Sequence, residues 1–390
     1  MNAIDLLDII GSGETSKVQF KEILSNPESM SRELVAMANS KGGVILLGVK
    51  DKIGTVTGLT PEQIEYADRK MAEFADNLKP PIYITTEVVK VEEDDSAKHV
   101  LIVHIEEGTN KPYKTAHGEI YIKQGSNKRL LTDNHEIMRL FQASGNLLAD
   151  EMEVYGTSIS DINKDAFAEY FKKEFGETYE QKGLTFEEAL KAKRVLRNNQ
   201  LTLAGLLSFG KDPQNVKPAF TIKVASFFGN DISESQYRNK PEDLQGTIPQ
   251  LFNSAMRYLK SCLLHVQAGQ NFNSTGILEI SEIALIELVQ NALVHRDYFK
   301  NAPIRILVFD NRVEIISPGK LPNSLTVEDI KYGNPVIRNN QLVAFGLHLL
   351  PFSGLGTGVK RSIKNQPNIE FVNDTAGEQF IVRIPREQVL

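Results

Sequence analysis

Between Ile283 and Leu293 the chain is apolar at Ile283, Leu285, Ile286, Leu288, Val289, Ala292 and Leu293, and Glu287 and Asn291 interrupt that run. At helical pitch, positions 287, 291 and 295 fall on one stripe. The pattern predicts a buried helix with a single polar line made of Glu287, Asn291 and His295. A carboxylate or carboxamide taken out of water is costly unless it is paired, so the stripe needs a partner in the fold or in a ligand.

The rest of the chain divides by pattern. Residues 17 to 145 read as a compact α/β unit. Asn26-Pro27 makes an N-cap and first turn for a helix through Met37, Gly42-Gly43 ends it, and Val44 to Val49 alternates as a strand. A second helix is predicted from Glu62 to Asn77. Strands follow near Ile82 to Val91 and His99 to Ile105, joined by the acidic turn 92–95, then a strand at Ile120 to Lys123 and a short helix from His135 to Gln142. Residues 146–215 read as a charged, mainly helical connector that packs on both neighbours, punctuated by Gly156, Gly183 and Gly210. Strand pattern returns at Thr221 to Phe228, followed by an amphipathic helix from Leu251 to Leu264. After the polar-striped helix come strands Ile304 to Phe309 and Arg312 to Ile316 around an Asp310-Asn311 turn. The stretch from Leu321 to Ser353 reads as irregular. Beyond it lie the glycine loop Gly354-Leu-Gly-Thr-Gly358, a helix, and a final strand near Gln379 to Ile384.

The length of 390 residues suits two or three domains. The longest apolar runs stop far short of the ~20 residues that a membrane span needs, and no basic n-region precedes an apolar stretch at the start, so a cytoplasmic location and no membrane partner are expected. A single cysteine, Cys262, excludes an internal disulfide and a cysteine metal site. The net charge of −6 argues against binding nucleic acid by bulk electrostatics, which leaves local patches: Lys123, Lys128 and Arg129, and Lys191, Lys193, Arg194 and Arg197. The histidines other than His295 show no ligand spacing.

Three pieces in order, Glu287-x-x-x-Asn291 on a helix, a glycine turn after a hairpin, and Gly354-x-Gly-x-Gly358 opening a helix, point to a nucleotide pocket. Magnesium keeps several waters and takes one or two protein oxygens, so the Asn291 carboxamide can suffice. Glu287, one turn earlier, is placed to deprotonate a water. Glycines 354, 356 and 358 expose backbone N–H groups at a helix start. The wording Glu287-Leu-Val-Gln-Asn-Ala-Leu-Val-His-Arg-Asp-Tyr298, Val308-Phe-Asp-Asn-Arg-Val-Glu-Ile-Ile-Ser-Pro-Gly319, Arg338-Asn339 and Gly354-Leu-Gly-Thr-Gly358 resembles the divergent GHKL-type ATPase domain of bacterial transcriptional regulators, often labelled RecG-like C-terminal. Leu201 to Pro213 resembles it too, so the likeness covers about 195–385. The resemblance implies ATP and Mg2+ as cofactors, Asn291 at the metal, Glu287 as general base, Gly319 beside adenine, and Arg338, Gly354, Gly356, Thr357 and Gly358 around the nucleotide. Ser317 stands where the wider superfamily has a base-reading Asp. No Gly-x-x-x-x-Gly-Lys-Ser/Thr loop is present, so helicase action is not expected.

Glu14-Thr-Ser-Lys-Val-Gln-Phe-Lys21, Ala38-Asn-Ser-Lys-Gly-Gly43, Leu47-Gly-Val-Lys-Asp51 and Tyr121-Ile-Lys-Gln-Gly-Ser126 resemble the Schlafen/AlbA-type DNA-binding domain over about 10–140. The resemblance implies nucleic-acid contacts from Lys21, Lys123, Ser126, Lys128 and Arg129. Family nucleases hold divalent metal on three acids, which map here to Glu14, Gln19 and Asp51, and the neutral Gln19 weakens a metal-dependent mechanism. A structural ion pair between Glu14 and Lys21 is the alternative for those two residues.

The expectation is an α+β protein: a Schlafen/AlbA-type α/β domain at 1–145, a helical connector at 146–215, and a GHKL-like two-layer α/β sandwich at 216–390. Its expected function is ATP-dependent transcriptional regulation with DNA, or RNA, as partner, possession of weak ATPase activity being left open, and assembly as a homo-oligomer. The alternative is a Schlafen-like metal-dependent nuclease gated by nucleotide, acting in phage defence.

Overall fold

The computed structural model describes all residues except 25, 52, 94–95, 233–235, 267–275, 323–324, 334–335, 352–353, 355 and 387–390, and the side chains at 93, 96, 135 and 143. Parts of the acidic turn at 92–95, of the 321–353 stretch and of the glycine loop at 355 therefore lie outside the described residues. The chain forms two compact units, Met1–Leu147 and Leu148–Leu390, of mixed α+β structure.

The first unit runs α1 (Ala3–Gly11), β1 (Val18–Lys21), α2 (Pro27–Asn39), β2 (Gly43–Leu47), α3 (Pro61–Asp76), β3 (Ile84–Glu93), β4 (Ser96–Ile105), β5 (Tyr121–Gln124), β6 (Asn127–Leu130) and α4 (Asn134–Ala143). The Asn26 side chain accepts from Glu28 N and Ser29 N, which starts α2 where the cap pattern placed it. Strand order is β1-β2-β4-β3, with β1 parallel to β2 and the other pairs antiparallel. Side chains alternate across a strand, and both faces of this sheet are buried. Ile45, Leu47, Leu101 and Val103 pack with Leu34 and Met37 of α2. Leu46, Val100 and Ile102 pack on the opposite face with Leu6 and Ile10 of α1, a helix that the hydrophobic pattern did not predict and that a capping box of Asn2 and Asp5 starts. Strands β5 and β6 form a hairpin around Gly125-Ser126, against α2. At the head of β2, Gly43 has φ +151°, and a Cβ there would stand 2.4 Å from the Lys17 carbonyl oxygen, so the backbone closes on β1 only without a side chain.

The second unit opens with 3-10 turns at Ala149–Glu151 and Ile159–Asp161, then α5 (Lys164–Phe175), α6 (Phe186–Ala192), the hairpin β7 (Leu196–Arg197) and β8 (Gln200–Leu201), α7 (Leu203–Phe209) and α8 (Pro213–Val216). It continues through β9 (Ile222–Phe227), β10 (Tyr237–Leu244), α9 (Ile248–Cys262), β11 (His265–Val266), β12 (Ile277–Leu278), α10 (Glu282–His295), β13 (Ile304–Val308) and β14 (Arg312–Pro318). It ends with α11 (Val327–Tyr332), α12 (Asn340–Leu349), α13 (Gly358–Asn365), β15 (Glu370–Asp374) and β16 (Gln379–Pro385). The sheet order is β10-β9-β13-β14-β16-β15, parallel at β9–β13 and antiparallel elsewhere. The helices cover one face through Val224, Ile306, Ile315 and Val382.

The segment from Leu148 to residue 215 shares that same core. Phe209 meets Phe345 of α12 edge-on with ring centres 5.2 Å apart, and Tyr170 meets Phe345 at 5.4 Å. Two expectations are corrected here. The stretch read as irregular contains α11 and α12. Strands β10 and β15 were not anticipated because their sequences are polar: both are sheet edges, and β10 tolerates Pro241 there because an edge strand need not donate every N–H.

Asp150, fully buried, accepts hydrogen bonds from Gln341 N (2.7 Å) and Leu342 N (3.0 Å) at the start of α12. Its Oδ1 has no partner among the described residues. Burial outweighs these bonds and raises its carboxyl pKa to about 6. The folded state then holds this proton more tightly than the unfolded chain does. The resulting stabilisation is present below about pH 4 and is lost as pH rises through 6. We predict that the difference in melting temperature between wild type and Asp150→Asn shrinks or reverses against the wild type from pH 4 to pH 7; a constant difference would contradict it.

Candidate functional site

Helix α10 is the centre of the second unit. Leu285, Leu288, Val289 and Leu293 bury it in the core, while Glu287, Asn291 and His295 face a cavity of about 170 Å3. The polar stripe read from the sequence therefore shares one wall. Gly354, Gly356 and Gly358 also line the cavity, the last being the first residue of α13. Gly319, at the end of β14, and Arg338 complete the end near His295. Eight residues separate Glu287 from His295, or about 12 Å of helix, which gives the cavity a glycine end and a Ser317 end.

The glycine end is tightly built. A Cβ on Gly358 would lie 2.5 Å from Glu287 Oε2 and 3.3 Å from Asn291 Nδ2. Glu287 is 4 % exposed, and neither of its oxygens is bare. Arg361, one turn into α13, forms an ion pair with Oε1, and Gln290 Nε2 donates to Oε2 at 3.0 Å. Asn291 is half-buried. Thr357 is exposed at the N-cap position of α13 and makes no cap bond through its side chain.

At the other end, Ser317 Oγ donates to the Ala292 carbonyl at 3.3 Å. Gly319 has φ +97°, and a Cβ there would stand 2.4 Å from the Asp297 Cβ and 2.8 Å from Arg338 Nη1. Only glycine fits. Arg338 Nη2 donates to the Lys320 carbonyl at 2.8 Å. Burial lowers the His295 pKa to about 4, and the Arg338 charge adds to the shift, so the imidazole in this wall is neutral at ordinary pH. The donor set, one carboxamide and one carboxylate beside a side-chain-free helix start, fits a hydrated magnesium on phosphate, which asks for one or two protein oxygens.

In the first unit, of the residues expected to touch nucleic acid, Lys123, Ser126, Lys128 and Arg129 lie on the β5–β6 hairpin and Lys21 ends β1, with unequal freedom. The Lys123 ammonium is fully buried and donates to Glu33 Oε1 (2.5 Å), the Ser126 carbonyl (2.9 Å) and Gln19 Oε1 (3.1 Å). Lys128 reaches the other Glu33 oxygen at 3.0 Å. Arg129 clasps Glu136 through two bonds of 2.7 and 3.0 Å and stays 40 % exposed. Lys21 pairs with Asp51 at 2.5 Å rather than with Glu14. Glu14 instead accepts from the Gln19 amide and from Phe20 N at 3.0 Å. Among the described residues no group of three or more His, Cys, Asp or Glu is placed to hold a metal.

Three residues escaped the sequence reading. Glu33 is a lone acid amid Met30, Leu34 and Met37 on a helix that is buried nearly all round, a signal available in the sequence. Gln290 lies off the 287–291–295 stripe, and Arg361 reads as an ordinary helical cation.

Comparison with known proteins matches a different family within each unit. The Schlafen, AlbA_2 family matches residues 14–132, and the family described as "Putative ATP-dependent DNA helicase recG C-terminal" matches residues 301–381. The chain thus carries a Schlafen/AlbA_2 domain and a RecG-like, ATPase-type domain. A domain of unknown function, DUF8451, matches residues 138–223, across the unit boundary and the helical segment. Among solved structures, the DIP2311 protein from Corynebacterium diphtheriae is similar, with a TM-score of 0.47 and 21% identity over 98% of this chain and 80% of that one. No curated protein matches the chain. The RecG-type match begins after α10, so Glu287 and Asn291 rest on the cavity itself. Among the described residues, no helix is long and apolar enough to cross a membrane.

Proposed function

We propose that this chain is an ATP-dependent transcriptional regulator, binding nucleic acid through its first unit and Mg·ATP through its second, with nucleotide state setting nucleic-acid affinity. The observation that carries the nucleotide half is the meeting of Glu287 and Asn291 with the bare start of α13 at Gly358. Asn291 would hold the magnesium, and Glu287 would take the proton from an attacking water. The metal supplies charge neutralisation at the phosphates when bound. Backbone N–H groups of Gly354, Gly356 and Gly358, with the Thr357 hydroxyl, receive phosphate oxygens where the helix dipole favours anions. Gly319 and Arg338 flank the base, and the Ser317 hydroxyl offers a polar contact in place of a carboxylate.

In the first unit, Lys128 and Arg129 contact backbone phosphates, with Lys21 released from Asp51 as a further contact. Lys123 acts from within, holding the Ser126 carbonyl and so the tip of the hairpin. The active species is a homo-oligomer in the cytoplasm.

Calorimetry with Mg·ATP tests the nucleotide half. Asn291→Ala should weaken Mg·ATP at least about tenfold, the equivalent of about 1.4 kcal/mol, and weaken metal-free ATP less. No binding by the wild type at millimolar Mg·ATP would remove that half. Duplex affinity that does not respond to ATP would remove the coupling.

A further inference from the structure

We propose that Arg361 is a positioning residue for Glu287, fixing the direction in which the carboxylate meets a water in the cavity. The inference deepens the reading above and rests on Glu287 being the base. Arg361 sits on α13, three residues after Gly358, and its guanidinium engages Glu287 Oε1 while remaining 43 % exposed itself. Gln290 donates to Oε2 from one turn of α10. Gly358 lets Oε2 come where a side chain would otherwise stand.

Three elements of restraint therefore act on one buried carboxylate. A carboxylate that only needed neutralising would be served by one cation, whereas here each oxygen has its own donor and the remaining lone pairs are directed by the clamp. Other charged groups on elements packed against α10 are directed elsewhere: Lys360 of α13 lies beside Gly333, Lys260 of α9 pairs with Glu282 and Arg257 of α9 donates to Ser254, His348 of α12 meets the Tyr170 ring, and Glu314 of β14 pairs with Arg312 and Arg383. Lys364 lies a further turn along α13. Since α13 also begins at the glycines that receive phosphate, a shift of that helix on nucleotide binding would carry Arg361 and re-aim the base at the same moment.

The test uses the full chain and compares wild type, Arg361→Gln, Arg361→Lys and Glu287→Gln in steady-state Mg·ATP hydrolysis, with ATP affinity measured separately. Arg361→Gln should lower kcat about 30-fold or more, a part of the roughly 100- to 10,000-fold that a general base contributes, and leave ATP affinity within about threefold. Arg361→Lys should recover part of the rate. A merely structural ion pair would change stability but leave the kcat of the folded protein unchanged. If Glu287→Gln abolishes turnover and Arg361→Gln keeps it, the inference falls and the nucleotide reading stands. A chain that binds ATP without turnover also overturns the inference, and one that binds no ATP overturns the reading beneath it. Should Arg361→Gln fail to fold, Arg361→Lys decides alone: a wild-type rate would overturn the proposal, and a loss of about fivefold or more supports it.

Discussion

Gly358→Ala is expected to weaken Mg·ATP binding about 10- to 100-fold. The added methyl would stand 2.5 Å from a carboxylate oxygen, closer than any stable contact, and moving that carboxylate would disturb its contacts with Arg361 and Gln290. Either Glu287 turns away or the start of α13 moves off α10. Overpacking of this kind costs about 1–3 kcal/mol, and both responses displace the N–H groups proposed to receive phosphate. Calorimetry reads the affinity, and thermal melting reads what the fold loses. An unchanged dissociation constant would mean that phosphate does not rest on the start of α13.

The second large effect belongs to the first unit. Asn39, 3 % exposed at the end of α2, donates through Nδ2 to the carbonyls of Tyr113 and Tyr121, at 2.9 Å each, and accepts from Tyr113 N at 2.8 Å. Ser40 Oγ accepts from Lys123 N at 2.8 Å, so two consecutive side chains tie α2 to the approach and body of β5. Asn39→Ala leaves three buried backbone groups without partners, each costing about 1–3 kcal/mol. A loss of at least about 3 kcal/mol is expected by urea denaturation, with faster amide exchange at residues 113–124. Asn39→Asp keeps one acceptor, loses both donors, and should be nearly as damaging. Exchange that stays slow at β5 would show that the hairpin is held by other means.

Much of this was legible because it is local. The four-residue spacing of Glu287, Asn291 and His295 placed all three on one wall of a cavity, since helical pitch alone decides which residues share a face. The Asn26-Pro27 cap marks the start of α2, and the Asp310-Asn311 turn joins β13 to β14 as an antiparallel hairpin. Polar edge strands were not legible, because β10 and β15 are strands through their neighbours' hydrogen bonds and not through their own alternation.

Helix α12 marks the boundary between what sequence and tertiary structure each decide. Its own N-cap residue, Asn339, makes no cap bond: its amide is spent on the carbonyls of Val294 and Arg296 at the end of α10, 2.8 and 2.9 Å away. The cap comes from Asp150, about 190 residues upstream, so nothing near position 340 announces a helix start. Glu287 follows the same division. By itself the sequence determined that a carboxylate and a carboxamide sit one turn apart on a buried helix, because spacing and hydrophobicity are properties of the chain. Only the tertiary structure decided that Arg361 and Gln290 hold that carboxylate and that Gly358 makes room for it. Which donor reaches a buried acid depends on where separate helices come to rest.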